Sequence, residues 1–222
     1  YNNDIKKLNT VKKILVLGDS HAFDFFLALE TIKEYKKEYH FNYKVFDYLY
    51  CFKIKNYKDE LLNHIKYKIL KRKNSCAIAL NYANFDMLVN IDKLIIANRW
   101  KKNIDIENLI KFFKKFNKEI IIIGNGQRFY DVPTLFFKKD KKINLYAKNL
   151  NTKLPSENNE IKEIALSEKS KFFDKSSLNC DPKCIVFNNN TILYSDKDHW
   201  AYHGLEYFGN KIMINNFNKL LN

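Results

Sequence analysis

The residues best suited to chemistry sit in two short segments near opposite ends of this 222-residue chain. Close to the start, the apolar run Ile14-Leu15-Val16-Leu17 ends in Gly18-Asp19-Ser20-His21, and a helical pattern follows at once. A serine at a helix start lies where backbone N–H groups and the helix dipole favour negative charge. That suits a nucleophile whose tetrahedral intermediate carries an oxyanion. Taken alone, the segment also reads as an ordinary helix start with Asp19 or Ser20 as its N-cap. Near the other end, Tyr194-Ser195-Asp196-Lys197-Asp198-His199-Trp200 holds a base and two carboxylates. Asp196 can accept from one nitrogen of His199 and leave the other for Ser20, the division of labour of a serine triad. The same stretch can leave a hairpin and begin a helix with Asp196 or Asp198 as cap, and the two roles are compatible. Asp19 is expected to fix the turn. Asp198, adjacent to His199, is awkwardly placed to orient it, and His21 reads as a packed neighbour.

The elements between must bring these ends together. Short apolar runs predict strands over 13–17, 43–46, 94–97 and 120–123, with a fifth, shorter one over 171–174. Helical spacing of apolar residues predicts helices over 22–37, 58–72, 76–89, 105–117 and 203–220, and two weaker segments within 140–168 on either side of Pro155. A hairpin is expected over 185–187 and 191–194, turning through Asn188-Asn189-Asn190. Residues 1–11 are a loose polar lead-in. Strands alternating with amphipathic helices imply an α/β fold with a parallel central sheet covered on both faces, a three-layer α/β/α domain of flavodoxin-like order 2-1-3-4-5. Function then gathers at the carboxyl ends of the strands, just after Leu17, Phe46, Ala97 and Ile123.

Length supports one domain over 1–222. The 46% hydrophobic and 15% aromatic content excludes a disordered chain, and 5 Gly with 3 Pro exclude a collagen-like one. The net charge of +14 fits either a solvated lysine surface or an anionic neighbour such as a phospholipid headgroup or an acidic glycan. No nucleic-acid motif accompanies it: there is no RNP-like aromatic strand, zinc finger or basic heptad region. No apolar run is long enough to span a bilayer, and Tyr1 opens neither a signal peptide nor an initiator Met, so the chain reads as a piece of something longer. His199 and His203 share i, i+4 spacing, and with Asp19, His21 and Asp196 a metal-dependent hydrolase can be drawn. No local motif specifies the remaining ligand and the serine reading uses more residues, so no metal is expected. His40 and His64 have no partners in sequence and are expected at the surface.

The pairing of Gly-Asp-Ser after the first strand with Asp-x-x-His near the C-terminus resembles the SGNH (GDSL-like) hydrolases. The fuller strings LVLGDSHA and YSDKDHWAYHG, with Cys180-x-x-x-Cys184 and Leu94-Ile95-Ile96-Ala97-Asn98-Arg99-Trp100 between them, look like the C-terminal SGNH domain of acyltransferase-3 membrane proteins that O-acetylate bacterial surface glycans. The resemblance spans about residues 13 to 204. It implies Ser20 as nucleophile, His199 as base and Asp196 as orienting acid. The sequence departs from the family pattern at the oxyanion hole. No glycine lies between Gly18 and Gly124, and Gly-x-Asn is absent after the third strand, leaving the Ser20 backbone N–H with Asn98 and Trp100 as candidates.

The four cysteines allow either reduced buried thiols in a cytosolic protein or two disulfides outside the cytoplasm, with three pairings in principle. The resembling family has cysteines at similar places, which favours Cys51–Cys76 and Cys180–Cys184. The resemblance further implies a periplasmic O-acetyltransferase domain at the inner-membrane face, passing acetyl through a serine acyl-enzyme to a hydroxyl of a surface polysaccharide such as lipopolysaccharide O-antigen or capsule. Its implied partners are an acyltransferase-3 membrane domain in the same polypeptide, a glycan acceptor and the membrane surface. No cofactor is implied, because the membrane domain delivers the acetyl donor. A carbohydrate O-acetyl esterase and a non-catalytic basic glycan-binding module are the alternatives.

Overall fold

The computed structural model describes residues 11–46, 51–52, 86–101, 104–130, 132, 152–153, 155–178, 180, 184–189 and 191–222. Strand β1 (Lys12–Gly18) leads into helix α1 (Ser20–Glu30), then a single helical turn α2 (Tyr35–Glu38) and strand β2 (Tyr39–Val45). Next come β3 (Lys93–Ala97), α3 (Ile106–Lys114) and β4 (Glu119–Ile123). A two-stranded ladder of β5 (Arg128–Phe129) and β6 (Thr152–Lys153) follows, then α4 (Asn158–Ser167), β7 (Lys171–Phe173) and a 3-10 turn over Lys175–Leu178. The hairpin β8 (Phe187–Asn188) and β9 (Thr191–Ile192) precedes α5 (Tyr202–Ile214) and α6 (Asn218–Leu221).

The central sheet has five parallel strands in the order β2-β1-β3-β4-β7. Counting only its own strands, that is the expected 2-1-3-4-5. Period-two alternation divides its side chains between two cores. Ile14, Val16, Ile95, Ala97, Ile121 and Ile123 pack with α1, α5 and α6 on one face, while Leu15, Leu17, Leu94, Ile96, Ile120 and Ile122 pack with α3 and α4 on the other. Because both faces are covered, β1, β3 and β4 read as continuous apolar runs. Helix α5 lies close to α1: a Cβ on Gly209 would come within 2.1 Å of Thr31 Oγ1 and 2.7 Å of the Ala28 carbonyl.

Several boundaries differ from the sequence expectation. The helix expected over 22–37 stops at Thr31, whose hydroxyl donates to the Ala28 carbonyl at 2.7 Å, and resumes only as α2. Strand β2 begins four residues before the expected 43–46. It is an edge strand, so it buries only the alternate residues Tyr39 and Phe41 and never forms a continuous apolar run. The helix expected over 203–220 breaks at Asn215-Asn216, where Asn216 takes a left-handed φ of 57° and Phe217 turns into the core. The β5–β6 ladder was not anticipated. The helix expected over 58–72 and most of that over 76–89 lie outside the described residues.

Cys180 and Cys184 form a disulfide. Cys51 is disulfide-bonded as well, and Cys76, its expected partner, lies outside the described residues.

Candidate active site

The end of β1 makes the turn that presents Ser20. Gly18 adopts φ 155°, and a Cβ there would stand 1.7 Å from the Ala97 carbonyl oxygen, so only glycine lets β1 pass β3 this closely. Asp19 caps α1 by accepting from His21 N at 2.9 Å through Oδ1, and its Oδ2 accepts from Arg99 N at 2.9 Å. Its own N–H donates to Asn98 Oδ1 at 3.1 Å. Asp19 therefore fixes the turn and ties it to the end of β3. Ser20 is exposed as the first helical residue, and its backbone N–H has no partner among the described residues.

The loop before α5 brings the base. Ser20 Oγ and His199 Nε2 are 2.8 Å apart across 179 residues of sequence. His199 Nδ1 lies 2.8 Å from Asp196 Oδ2, whereas Asp198 Oδ1 stands back at 3.6 Å. Asp196 Oδ1 accepts from the backbone N–H of Asp198 at 2.9 Å and of His199 at 2.8 Å. Burial alone would raise the Asp196 carboxyl, but these two N–H groups and the His199 ring hold it below its ordinary value. An ionised carboxylate only accepts, so the proton of His199 resides on Nδ1. Nε2 is then the acceptor for the Ser20 hydroxyl. The loop is closed on itself by Ser195 N donating to the His199 carbonyl at 3.0 Å and anchored from outside by two bonds: Trp200 N donates to Asp24 Oδ2 at 3.1 Å, and Phe129 N to the Lys197 carbonyl at 2.7 Å.

The two side chains expected at the oxyanion hole part ways. Asn98 is buried beneath the Ser20 turn, and its Nδ2 has no hydrogen-bond partner among the described residues. Trp100 corrects the expectation. Its indole N–H donates to the Ile123 carbonyl at 2.6 Å and its backbone N–H to Asn125 Oδ1 at 2.9 Å, so neither is left for substrate.

Beside Ser20 opens a cleft of about 420 Å³, open solvent included, lined by His21, Arg99, Asn125, Arg128, Glu157 and Asp198 among others. Asp198 is buried and paired with Arg99 Nη2 at 2.7 Å and Arg128 Nε at 3.5 Å. Behind it Lys175 is fully enclosed, its ammonium 4.1 Å from the centre of the Trp200 ring. Burial pushes that lysine down, opposed by Asp24, Asp19 and Asp198. Asp24 is pushed up by burial, opposed chiefly by Lys175. Arg99, Arg128 and Lys175 were not singled out from sequence. They follow β3, lie on β5 and follow β7, so the rule that function gathers at strand ends would have reached two of them.

The metal alternative loses its helical pair. Helix α5 starts at Tyr202, so His199 lies outside it, and His203 is exposed with its ring against Tyr202. Ring and carboxylate atoms of His21, Asp198 and His199 do come within 4.8 Å of one another. Asp198, however, already faces two guanidinium groups, a setting that repels a cation. His40 is exposed, and His64 lies outside the described residues.

No curated protein matches the chain. Among solved structures, the periplasmic domain of the lipopolysaccharide acetyltransferase of Salmonella ser. Paratyphi A aligns with a TM-score of 0.58 and 18% identity, covering 96% of this chain and 85% of that one. A candidate acylhydrolase from Bacteroides fragilis aligns over 97% of this chain and 94% of its own, at 13% identity and a TM-score of 0.42. At 18% identity the Salmonella likeness speaks to the fold, and it agrees with the five-stranded sheet. A family model described as "SGNH domain (fused to AT3 domains)" matches residues 2–213, almost the full length over which this sheet and its site are built, and the chain belongs to that family.

Proposed function

We propose that this chain is a serine O-acetyltransferase domain that works at the periplasmic face of the bacterial inner membrane. The observation that carries the reading is the relay Ser20–His199–Asp196, with 2.8 Å at each step. In the first half-reaction His199 Nε2 takes the Ser20 proton as Oγ attacks the carbonyl carbon of an acetyl donor. The Ser20 N–H, with Asn98 Nδ2 as second donor, receives the oxyanion. Collapse expels the donor's leaving group, which takes its proton from His199, and acetyl-Ser20 remains. In the second half a glycan hydroxyl gives its proton to His199 and attacks the ester carbonyl, and the departing Ser20 oxygen takes that proton back. No cofactor enters this cycle.

The direction, transfer rather than hydrolysis, rests on the family's fusion to acyltransferase-3 domains and on the Salmonella relative, which is a lipopolysaccharide acetyltransferase domain. We infer such a membrane domain on the same polypeptide as the source of acetyl, and a surface polysaccharide as acceptor. The net charge of +14 suits a place beside anionic headgroups. The test incubates the domain with a chromogenic acetyl ester, with and without candidate oligosaccharides. Release of chromophore, abolished by Ser20→Ala, together with acetylated sugar is the expected result. Acetate alone, unchanged by any acceptor, would make the domain an esterase. Full activity in Ser20→Ala would remove the serine mechanism.

A further inference from the structure

We propose that His21 is a second functional imidazole of this site, which orients a glycan acceptor by hydrogen-bonding the hydroxyl vicinal to the one being acetylated. The proposal rests on the serine acyltransfer reading above. His21 follows the nucleophile in sequence, and its ring lies flat against that of His199, with centroids 4.7 Å apart and planes 20° from parallel. It is half-buried and lines the cleft beside Ser20. Its backbone N–H is spent on the Asp19 cap, but its ring nitrogens hydrogen-bond to none of the described residues. A polar ring held in place by stacking, open to the cleft and without a hydrogen-bond partner among the described residues, is free for a ligand.

The surroundings decide what kind of ligand. Burial, followed by Lys175, His199, Arg99 and Arg128, pushes His21 down to about 2. It is therefore neutral at any working pH, with one N–H and one bare nitrogen. So weak a base does not compete with His199 for the attacking proton. A group that donates and accepts at once matches a sugar hydroxyl, which does the same. An anion would sooner seek Arg99 and Arg128, but Asp198 already engages both. Because the two imidazoles are stacked side by side, a diol can present one oxygen to His199 and the neighbouring oxygen to His21. Water has no second hydroxyl to place there, so the contact favours transfer over hydrolysis.

The test offers a chromogenic acetyl ester together with equal amounts of cis-cyclohexane-1,2-diol and cyclohexanol and measures the two acetate esters formed. Their ratio does not depend on how much total activity a variant keeps. The wild type should favour the diol by about three- to tenfold beyond the statistical factor of two, the usual worth of one neutral hydrogen bond. His21→Phe, which keeps a flat ring against His199, should lose that preference, and His21→Gln, which still donates and accepts, should keep part of it. A second measurement needs no turnover: in Ser20→Ala, the ring nitrogen resonances of His21 should move on adding the diol and stay put with cyclohexanol. An equal preference in His21→Phe, no preference in the wild type, or unmoved resonances would overturn the proposal. Hydrolysis surviving in Ser20→Ala would instead overturn the serine reading and leave the resonances to judge His21.

Discussion

Replacing Asp196 by Asn changes one atom in the relay and reverses a proton. In the wild type, Oδ1 holds two backbone N–H groups at 2.9 and 2.8 Å, and Oδ2 holds His199 Nδ1–H at 2.8 Å. An asparagine keeps its carbonyl oxygen toward the two backbone donors, because turning the amide over would set N–H against N–H. The Nδ2 group then faces His199 Nδ1 and can only donate, so the imidazole must carry its proton on Nε2. A protonated Nε2 cannot take the Ser20 hydroxyl proton. The equivalent change in a serine protease triad costs about 10⁴ in kcat, and a fall of about 10³- to 10⁴-fold in acetyl-ester turnover is expected here. That is about 4–5 kcal/mol of transition-state stabilisation. Fold stability should move little, within about 1 kcal/mol, because the Asp196 side chain is 48% exposed and its loop anchors survive. Steady-state hydrolysis of a chromogenic acetyl ester and a urea melt report the two quantities separately. Less than a tenfold loss of turnover, with the melt unchanged, would refute the assignment of Asp196.

Asp198→Asn should behave in the opposite manner. Removing the buried charge leaves Arg99 and Arg128 facing each other across a neutral amide, which should cost about 2 kcal/mol in a urea melt, since both guanidinium groups keep some solvent. Turnover should fall about tenfold at most, because the tautomer of His199 is untouched. At the other end of the sheet, Glu119 faces the buried Lys93 at 2.6 Å across the β3–β4 ladder and also pairs with Lys171. Burial alone would raise Glu119, but the two lysines hold it below its ordinary value of 4.5. A depressed carboxyl stabilises the fold fully above that ordinary value and loses the contribution as pH falls through the depressed one. Glu119→Gln should therefore melt about 1 kcal/mol less stably at neutral pH, because solvent screens a carboxylate that is 37% exposed, with the gap closing in acid. Cys184→Ser opens the loop of sequence separation 4 between Cys180 and Cys184. It should cost about 2 kcal/mol in a non-reducing urea melt, the chain-entropy value for so short a loop.

The central sheet was legible because its inner strands are buried on both faces. Ile120-Ile121-Ile122-Ile123 and Leu94-Ile95-Ile96-Ala97 can hardly be anything but covered strands, and the structure extends each by one residue. What was misread lies where only one face is covered or where a tertiary contact ends an element. Strand β2 alternates as an edge strand does, so its first half, Tyr39 to Asn42, carried a weaker signal than the 43–46 run. The break after α1 is set by Thr31 and by the close approach of Gly209, and neither can be read from the periodicity of 22–37. Glycine and serine at 18 and 20 spoke for themselves, because a positive φ and a helix N-terminus are local properties. Trp100 misled because its place after β3 was visible but the Ile123 carbonyl that claims its indole was not.

The cluster behind the relay explains how so distant a histidine finds its serine. His199 reaches Ser20 only if the loop from Ser195 to Trp200 is held against the carboxyl edge of the sheet. Three elements hold it, each by a different part of the loop. Helix α1 holds Trp200 N through Asp24, β5 takes the Lys197 carbonyl through Phe129 N, and the end of β3 meets Asp198 through Arg99. Lys175, at the end of β7, then packs against the Trp200 ring from below. The carboxylates that make these contacts, Asp24 and Asp198, are buried and lie close to Asp196, so unscreened they would repel one another. Arg99, Arg128 and Lys175 offset that repulsion. Burial first, and then the same three cations, keep His21 neutral beside His199. One set of charges thus serves two ends: it holds the base where the nucleophile needs it, and it leaves a neutral imidazole facing the cleft.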